Sequence, residues 1–138
     1  MNFSFAQNVT YVLLRVVSGL LYFQAGTTKV LGWFGGIDGQ GGTPPFFSQI
    51  GIGGWMEFLG GIAIMFGLFT RPVAFILSGE MAVAYWQFHA PNGAWPAVNQ
   101  GIPAVLFCFI FLYMAARGAG EWSIDSWLSN RKRDNRAG

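Results

Sequence analysis

The chain has 138 residues, of which 53% are hydrophobic and only 10% are charged, and its formal net charge is +2. Soluble domains carry about 25% charged residues, so this chain lacks the groups that would solvate a globular surface. Its high hydrophobicity excludes an intrinsically disordered protein. A single cysteine and a single histidine exclude a disulfide scaffold and a zinc site built from these two residue types alone. The composition therefore predicts an integral membrane protein.

Four apolar segments follow one another along the chain, at about residues 9–29, 50–69, 71–89 and 99–117. Each approaches the roughly 20 apolar residues that a helix needs to cross a bilayer. Stretches rich in glycine and proline separate most of them, and Thr70 and Pro72 are typical of a helix start between the second and third segments, with Thr70 as the N-cap. We therefore predict an all-α fold, an integral membrane four-helix bundle.

The basic residues are concentrated near the C-terminus. From residue 117 onwards there are five cations and three anions, so the net charge of +2 resides in this final part. If four helices alternate in direction, Arg71, Arg117 and the later cations fall on one side of the membrane, which the positive-inside rule makes cytoplasmic. We expect both termini to be cytoplasmic, with a membrane domain at residues 1–125 and a basic cytoplasmic tail at 126–138. The hydrophobic body and the mixed charges argue against nucleic-acid binding.

Three charged residues, Arg15, Glu57 and Glu80, fall inside the apolar segments and away from their ends. An ionised group in lipid costs several kcal/mol unless it is paired or hydrated, so such residues are functional candidates. Arg15 and Glu80 lie at comparable depths from the cytoplasmic side. Glu57 lies about 10 Å from the outer side, within reach of Lys29 at the end of the first segment. We therefore predict two cross-helix ion pairs, Arg15 with Glu80 and Lys29 with Glu57.

Polar and small residues of the first segment share one face. Arg15 and Lys29 are separated by almost four whole helical turns, and Ser18, Tyr22 and Gly26 lie on the same stripe. We expect this stripe to face the interior of the bundle. Two buried ion pairs could lock the helices in register or could form a ligand or proton site, and the sequence leaves both interpretations open.

His89 and Cys108 are weaker candidates. His89 ends the third segment, where an interfacial position is the simplest interpretation, and a single histidine excludes bis-histidine haem ligation within one chain. Cys108 lies among phenylalanines in the fourth segment. Because an apolar setting disfavours the thiolate, we expect Cys108 to pack and not to react.

Several short motifs follow one another along the chain. In the first half they are Leu14-Arg15-Val16-Val17-Ser18-Gly19, Gly26-Thr27-Thr28-Lys29-Val30 and Glu57-Phe58-Leu59-Gly60-Gly61. In the second half they are Gly67-Leu68-Phe69-Thr70-Arg71-Pro72-Val73-Ala74, Gly79-Glu80-Met81-Ala82-Val83-Ala84-Tyr85, His89 with Pro91, and Gly118-Ala119-Gly120-Glu121-Trp122-Ser123-Ile124-Asp125. Together they resemble the DoxX family of bacterial membrane proteins over about residues 12–125.

The resemblance implies a multi-pass, four-helix protein of the bacterial inner (cytoplasmic) membrane. Members of the family are associated with thiosulfate:quinone oxidoreductase and with membrane complexes that handle thiol and oxidative stress. The residues of this chain to which the resemblance assigns the family's motif positions are Arg15, Lys29, Glu57, Arg71, Glu80, His89, Ser123 and Asp125. The Ser-Ile-Asp motif at 123–125 directly follows the fourth segment, so we expect it to cap a helix or to dock a cytoplasmic segment.

The resemblance and the intramembrane charges lead to three functional hypotheses. The first is an accessory or quinone-interacting subunit of a membrane redox complex that oxidises thiosulfate or thiols. The second is a structural or assembly subunit of a larger membrane complex, and the third is a small proton-coupled transporter, which would require a homo-oligomer. Because the sequence shows no cofactor motif, we expect a subunit of a quinone-dependent oxidoreductase and not a self-sufficient enzyme.

The first hypothesis makes Glu57 and Glu80 the candidate catalytic residues. The ligand-binding candidates are Arg15, Tyr22, Lys29, Glu57, Glu80 and His89. A quinone pocket needs an apolar slot and one or two polar groups that hold the carbonyl oxygens, which these residues would supply. We expect quinone as the ligand, no metal, no cofactor held within the chain, and as partners the lipid bilayer and other membrane or soluble redox subunits.

Overall fold

The computed structural model describes residues 2–137, and within this range the chain is all-α, as predicted. Its helices are α1 (Phe3–Val30), α2 (Gln49–Phe66), α3 (Thr70–Ala84), α4 (Pro96–Asn99), α5 (Ile102–Arg117) and α6 (Ile124–Ala137). Short 3₁₀ turns cover Trp33–Gly35 and Ala90–Asn92, and a π-helical turn covers Tyr85–His89.

The chain divides into two compact units. The first comprises the residues up to Thr70 and those from Ala119 onwards, so it contains α1, α2 and α6. The second comprises Arg71–Gly118 and contains α4, α5 and nearly all of α3. Each predicted apolar segment therefore folds as helix, two in each unit.

Among the described residues, α1 and α2 are the helices long and apolar enough to cross a membrane, with 28 and 18 residues. The apolar helix α5 has 16 residues. It begins later than the predicted fourth segment because Asn99 ends α4 and Gln100 adopts a left-handed conformation with φ of 59°. The α-helical part of α3 has 15 residues, and the π-helical turn continues it to His89.

The helix α1 begins at Phe3, several residues before its predicted start. Asn2 is its N-cap, and the Asn2 side-chain oxygen accepts the Ser4 N–H at 3.2 Å. Such a cap satisfies one of the free N–H groups of the first turn. The apolar pattern that begins near residue 9 underestimates the helix because its first turns alternate phenylalanines with polar residues and are mostly exposed.

The predicted interior face of α1 is confirmed. Arg15, Ser18, Tyr22 and Gly26 are all buried, and the side chain of Lys29 is 30% exposed. Residues on the intervening positions, such as Leu20, are half exposed. The polar stripe therefore faces protein, and the leucines and valines around it are free to face lipid.

The helices α1 and α2 pack closely through glycines. A Cβ atom on Gly26 would lie 2.3 Å from the backbone nitrogen of Phe58, and one on Gly61 would lie 2.4 Å from that of Phe23. No side chain fits at such distances. Small residues commonly allow the backbones of two membrane helices to approach this closely. The close contact fixes the register of α1 against α2, so that the end of α1 lies beside the middle of α2.

Residues 31–48, which connect α1 and α2, form the predicted irregular loop. Asp38 closes part of it, since its Oδ1 accepts the N–H groups of Gln40 and Gly42 at 2.8 and 2.9 Å. These two hydrogen bonds stabilise the carboxylate and lower the pKa of Asp38 below its ordinary value.

Candidate functional site

The predicted ion pair between Lys29 and Glu57 is present in the first unit. Lys29 Nζ lies 2.5 Å from Glu57 Oε1 and joins the last turn of α1 to the middle of α2. Gly54 makes the contact possible, because a Cβ there would lie only 2.6 Å from the Cβ of Lys29. The lysine stem therefore runs along the surface of α2 towards the carboxylate.

The two members of this pair differ in burial. The Glu57 side chain is 5% exposed and that of Lys29 is 30% exposed. Glu57 Oε2 is buried and has no hydrogen-bond partner among the described residues. Leaving a buried acceptor without a donor costs free energy, and a proton on this oxygen or a donor on a bound molecule would remove the cost. Oε2 is thus the oxygen of the pair that can still bind a proton or accept a hydrogen bond from a ligand.

Arg15 binds main-chain carbonyl groups within the first unit. Its side chain is buried, and its terminal nitrogens donate to the carbonyl oxygens of Ala119 and, at 2.8 Å, Trp122. Arg15 therefore fastens the segment before α6 onto α1. Glu80, its predicted partner, is a half-buried residue of the second unit, and the Arg15–Glu80 pair stays a prediction.

Asp125 docks the start of α6 onto the turn between α2 and α3. Its carboxylate accepts the N–H groups of Phe69 and Thr70 at 2.8 and 2.9 Å, and its own N–H donates to the Gly67 carbonyl at 3.0 Å. The expectation that the motif at 123–125 caps a helix or docks a segment is confirmed. The prediction of Thr70 as the N-cap is wrong, because Asp125 supplies the cap and Thr70 Oγ1 has no partner among residues 2–137.

Asp125→Ala is expected to destabilise the protein by about 1–2 kcal/mol, because two N–H groups at a helix start lose their acceptor. Thermal unfolding of the purified chain in detergent measures the effect. The matched control is Asp134→Ala, which removes a carboxylate from an exposed position of the same helix. Equal melting temperatures for the two variants would contradict the capping role of Asp125.

In the second unit, Arg71 caps the C-terminus of α5. Its guanidinium donates to the carbonyl oxygens of Ala115 at 3.0 Å, Ala116, and Arg117 at 3.2 Å. The last carbonyls of a helix have no partner within the helix, so Arg71 satisfies groups that would otherwise need water. This motif residue has a structural role.

His89 belongs to a hydrogen-bonded cluster centred on Asn99, which is 4% exposed. His89 Nδ1 lies 3.0 Å from the Asn99 carbonyl oxygen. The Asn99 side-chain amide donates to the Gly93 carbonyl at 2.9 Å, and its oxygen accepts the Gly101 N–H at 2.8 Å. Sequence reasoning missed Asn99, although a polar residue between a tryptophan-proline pair and a glycine is a signal for a structured turn. His89 itself ends the π-helical turn at 85–89, and such turns are frequent at functional sites.

The remaining sequence predictions concern Tyr22, Cys108 and metal binding. Tyr22 is 2% exposed in the middle of α1. Cys108 is half-buried in α5, and its carbonyl oxygen accepts the Ser78 hydroxyl at 2.7 Å. Among the described residues, no group of three or more histidine, cysteine or acidic side chains is arranged to hold a metal ion.

Comparison with known proteins identifies a family and several similar proteins. The DoxX family model matches residues 10–90. An "Uncharacterized protein" of Haemophilus influenzae is 37% identical over 119 residues, which cover 82% of this chain and 86% of the relative. The "Inner membrane protein YqjF" of Escherichia coli is 29% identical over 138 residues, 91% of this chain and 96% of the relative. The "Putative oxidoreductase CatD" of Bacillus subtilis is 34% identical over 85 residues, 56% of this chain and 57% of the relative. No solved structure matches this chain.

Proposed function

Since this chain belongs to the DoxX family, we propose that it is a quinone-interacting subunit of a redox complex in the bacterial inner membrane. The E. coli relative named as an inner membrane protein supports the location. The B. subtilis relative printed as "Putative oxidoreductase CatD", which matches over 56% of this chain, supports the redox role. The electrons come from a soluble or membrane partner that oxidises thiosulfate or a thiol.

The proposed topology has four membrane-spanning segments. The helices α1 and α2 provide two of them, α3 with its π-helical extension provides the third, and α5 provides the fourth. The turn between α2 and α3 and the tail that follows α5 then lie on the same side of the membrane. Arg71, Arg117 and the cations of α6 are there, which supports cytoplasmic termini by the positive-inside rule.

The Lys29–Glu57 pair is the proposed quinone-binding group. Its most direct support is the buried Glu57 Oε2, which has no hydrogen-bond partner among the described residues. The partly exposed Lys29 ammonium would hold a carbonyl oxygen of the ligand. Glu57, a carboxylate in the resting pair, would take up a proton on Oε2 and pass it to the ligand on reduction. The rings of Phe23 and Phe58, 5.0 Å apart between centroids, provide apolar surface on the same two helices. A bound quinone supplies the capacity to accept two electrons and two protons.

A structural or assembly role is the second candidate. It is favoured by Arg15, Arg71 and Asp125, whose hydrogen bonds go to main-chain groups at helix ends. Such contacts stabilise the fold and need no ligand. The two candidates differ in what they require of Glu57, because an assembly subunit does not need the free oxygen of this side chain.

Glu57→Gln in the complex reconstituted with its soluble partner is expected to lower quinone-dependent thiosulfate or thiol oxidation by about 100-fold, the size of a lost proton-transfer group. The amide keeps the shape of the side chain and removes the proton-holding oxygen. Asp134→Asn, at an exposed position of α6, is the matched control and is expected to retain full activity. Wild-type activity of Glu57→Gln in an intact complex would exclude the proposed site, and dissociation of the complex would favour the assembly role.

A further inference from the structure

An open groove of about 980 Å³ lies within the first unit, between α1, the end of α2 and the start of α6. The side chains that α1 and α2 contribute to its wall are mostly apolar, and they include Val12, Val16, Met65 and Phe66. The facing wall includes Trp122 and Trp127. An open and mostly apolar groove of this volume can hold a hydrocarbon chain.

The aromatic residues beside the groove are typical of a membrane surface. Trp122 and Trp127 are 59% and 57% exposed despite their size. The ring of Phe5, at the start of α1, packs edge-on against Trp122 with 6.3 Å between centroids. Exposed tryptophans concentrate at the boundary between headgroups and hydrocarbon, so this end of the unit is at the depth of lipid headgroups.

The groove carries positive charge at its floor and rim. Arg15 lines the floor, and its Nε has no hydrogen-bond partner among the described residues. The Arg131 guanidinium lies 5.3 Å from the ring centroid of Trp127, which places it beside the facing wall. Two further exposed cations, Lys132 and Arg133, follow directly on α6. Glu121 is the acidic residue among the lining side chains.

We propose that this groove is a binding site for an anionic phospholipid of the surrounding bilayer. The acyl chain lies against the apolar wall of α1 and α2, and the phosphate lies beside Arg131. A zwitterionic lipid would fill the groove equally well but would gain less from the cations, so charge complementarity selects the anionic headgroup. The site depends on the membrane location of the chain and not on quinone binding, so either proposal can fail alone.

Lipid retention tests this site. The full chain is purified into nanodiscs of phosphatidylcholine alone or of an equal mixture with phosphatidylglycerol, and lipids that stay bound are counted by native mass spectrometry. Phosphatidylglycerol is expected to be retained in preference to phosphatidylcholine. Arg131→Gln is expected to weaken this preference about fivefold, the contribution of one basic residue at a membrane surface. Arg136→Gln, farther along the same helix, is the matched control and is expected to keep the preference.

A second readout remains available if Arg131→Gln does not fold. Brominated phosphatidylglycerol is expected to quench the fluorescence of the wild-type chain more than that of Trp127→Phe, because Trp127 lines the groove. Equal retention of the two lipids, equal effects of Arg131→Gln and Arg136→Gln, or equal quenching in wild type and Trp127→Phe would overturn the proposal. Displacement of phosphatidylglycerol by the same concentration of glycerol phosphate would also overturn it, since the acyl chain would then contribute nothing.

Discussion

Gly26→Ala is expected to destabilise the protein by about 3 kcal/mol or more and to reduce the amount of folded chain in the membrane. The added Cβ would lie 2.3 and 2.6 Å from the backbone N and Cα atoms of Phe58. Backbone atoms cannot rotate away as a side chain can, so α1 and α2 must separate. Overpacking of a well-packed core costs about 1–3 kcal/mol, and more when the backbone is the obstacle. Unfolding in detergent mixtures measures the loss.

Gly79→Ala is the matched control for this experiment. Gly79 also lies within a helix, α3, but a Cβ there would meet no atom within 4 Å. Because alanine favours the helix over glycine, this variant is expected to be more stable by about 0.5–1 kcal/mol. Equal stabilities of Gly26→Ala and Gly79→Ala would contradict the close packing of α1 on α2.

Lys29→Met is expected to destabilise the fold by about 3 kcal/mol, and the double variant Lys29→Met/Glu57→Leu is expected to recover most of this loss. The single variant leaves a carboxylate that is only 5% exposed without its cation. Breaking a buried ion pair costs about 3–5 kcal/mol, whereas replacing both members with apolar residues is often neutral. The free energy of unfolding of the four proteins in this cycle measures the coupling.

Glu57→Leu alone is expected to cost less than Lys29→Met. The lysine that remains is 30% exposed, and its flexible stem can carry the ammonium to a hydrated position. The double variant is expected to fold but no longer to support quinone reduction, which distinguishes the contribution of the pair to stability from its contribution to the reaction. A double variant less stable than either single variant would contradict this description of the pair.

The elements that follow from local patterns could be predicted from the sequence. The apolar segments appear as helices, and the interior stripe of α1 from Arg15 to Gly26 is buried as its spacing indicates. The Lys29–Glu57 contact followed from depth, because both residues were placed near the same side of the membrane. The depth of a residue in the membrane was informative here, because two adjacent antiparallel helices bring only a few side chains together at any one depth.

The contacts of Arg15 could not be predicted in the same way. Its hydrogen bonds go to the carbonyl oxygens of Ala119 and Trp122, more than one hundred residues away. Carbonyl groups occur at every residue and have no sequence signature. The glycines at 118 and 120, both with positive φ, mark a turn, but they do not indicate which helix the turn meets.

The structure of the tail was only partly visible in the sequence. Its basic character was evident, but α6 (Ile124–Ala137) is helical and begins before the predicted tail. The Ser123 hydroxyl accepts the Ser126 N–H at 3.1 Å, and an acidic residue, Asp125, occupies the first turn. Both are signals of a helix start. The π-helical turn at 85–89 has no such signal, because it ends its helix and too few residues follow to reveal a shifted apolar pattern.

The state of Glu57 during quinone reduction tests the central claim most directly. The measurement is the infrared difference spectrum between oxidised and reduced short-chain ubiquinone, recorded with the full chain in nanodiscs. A carboxyl band is expected in the wild-type spectrum and in that of Asp134→Asn, and it is expected to be absent in Glu57→Gln. A carboxyl band that persists unchanged in Glu57→Gln, or a wild-type spectrum without any carboxyl band, would contradict a proton-holding role for this side chain.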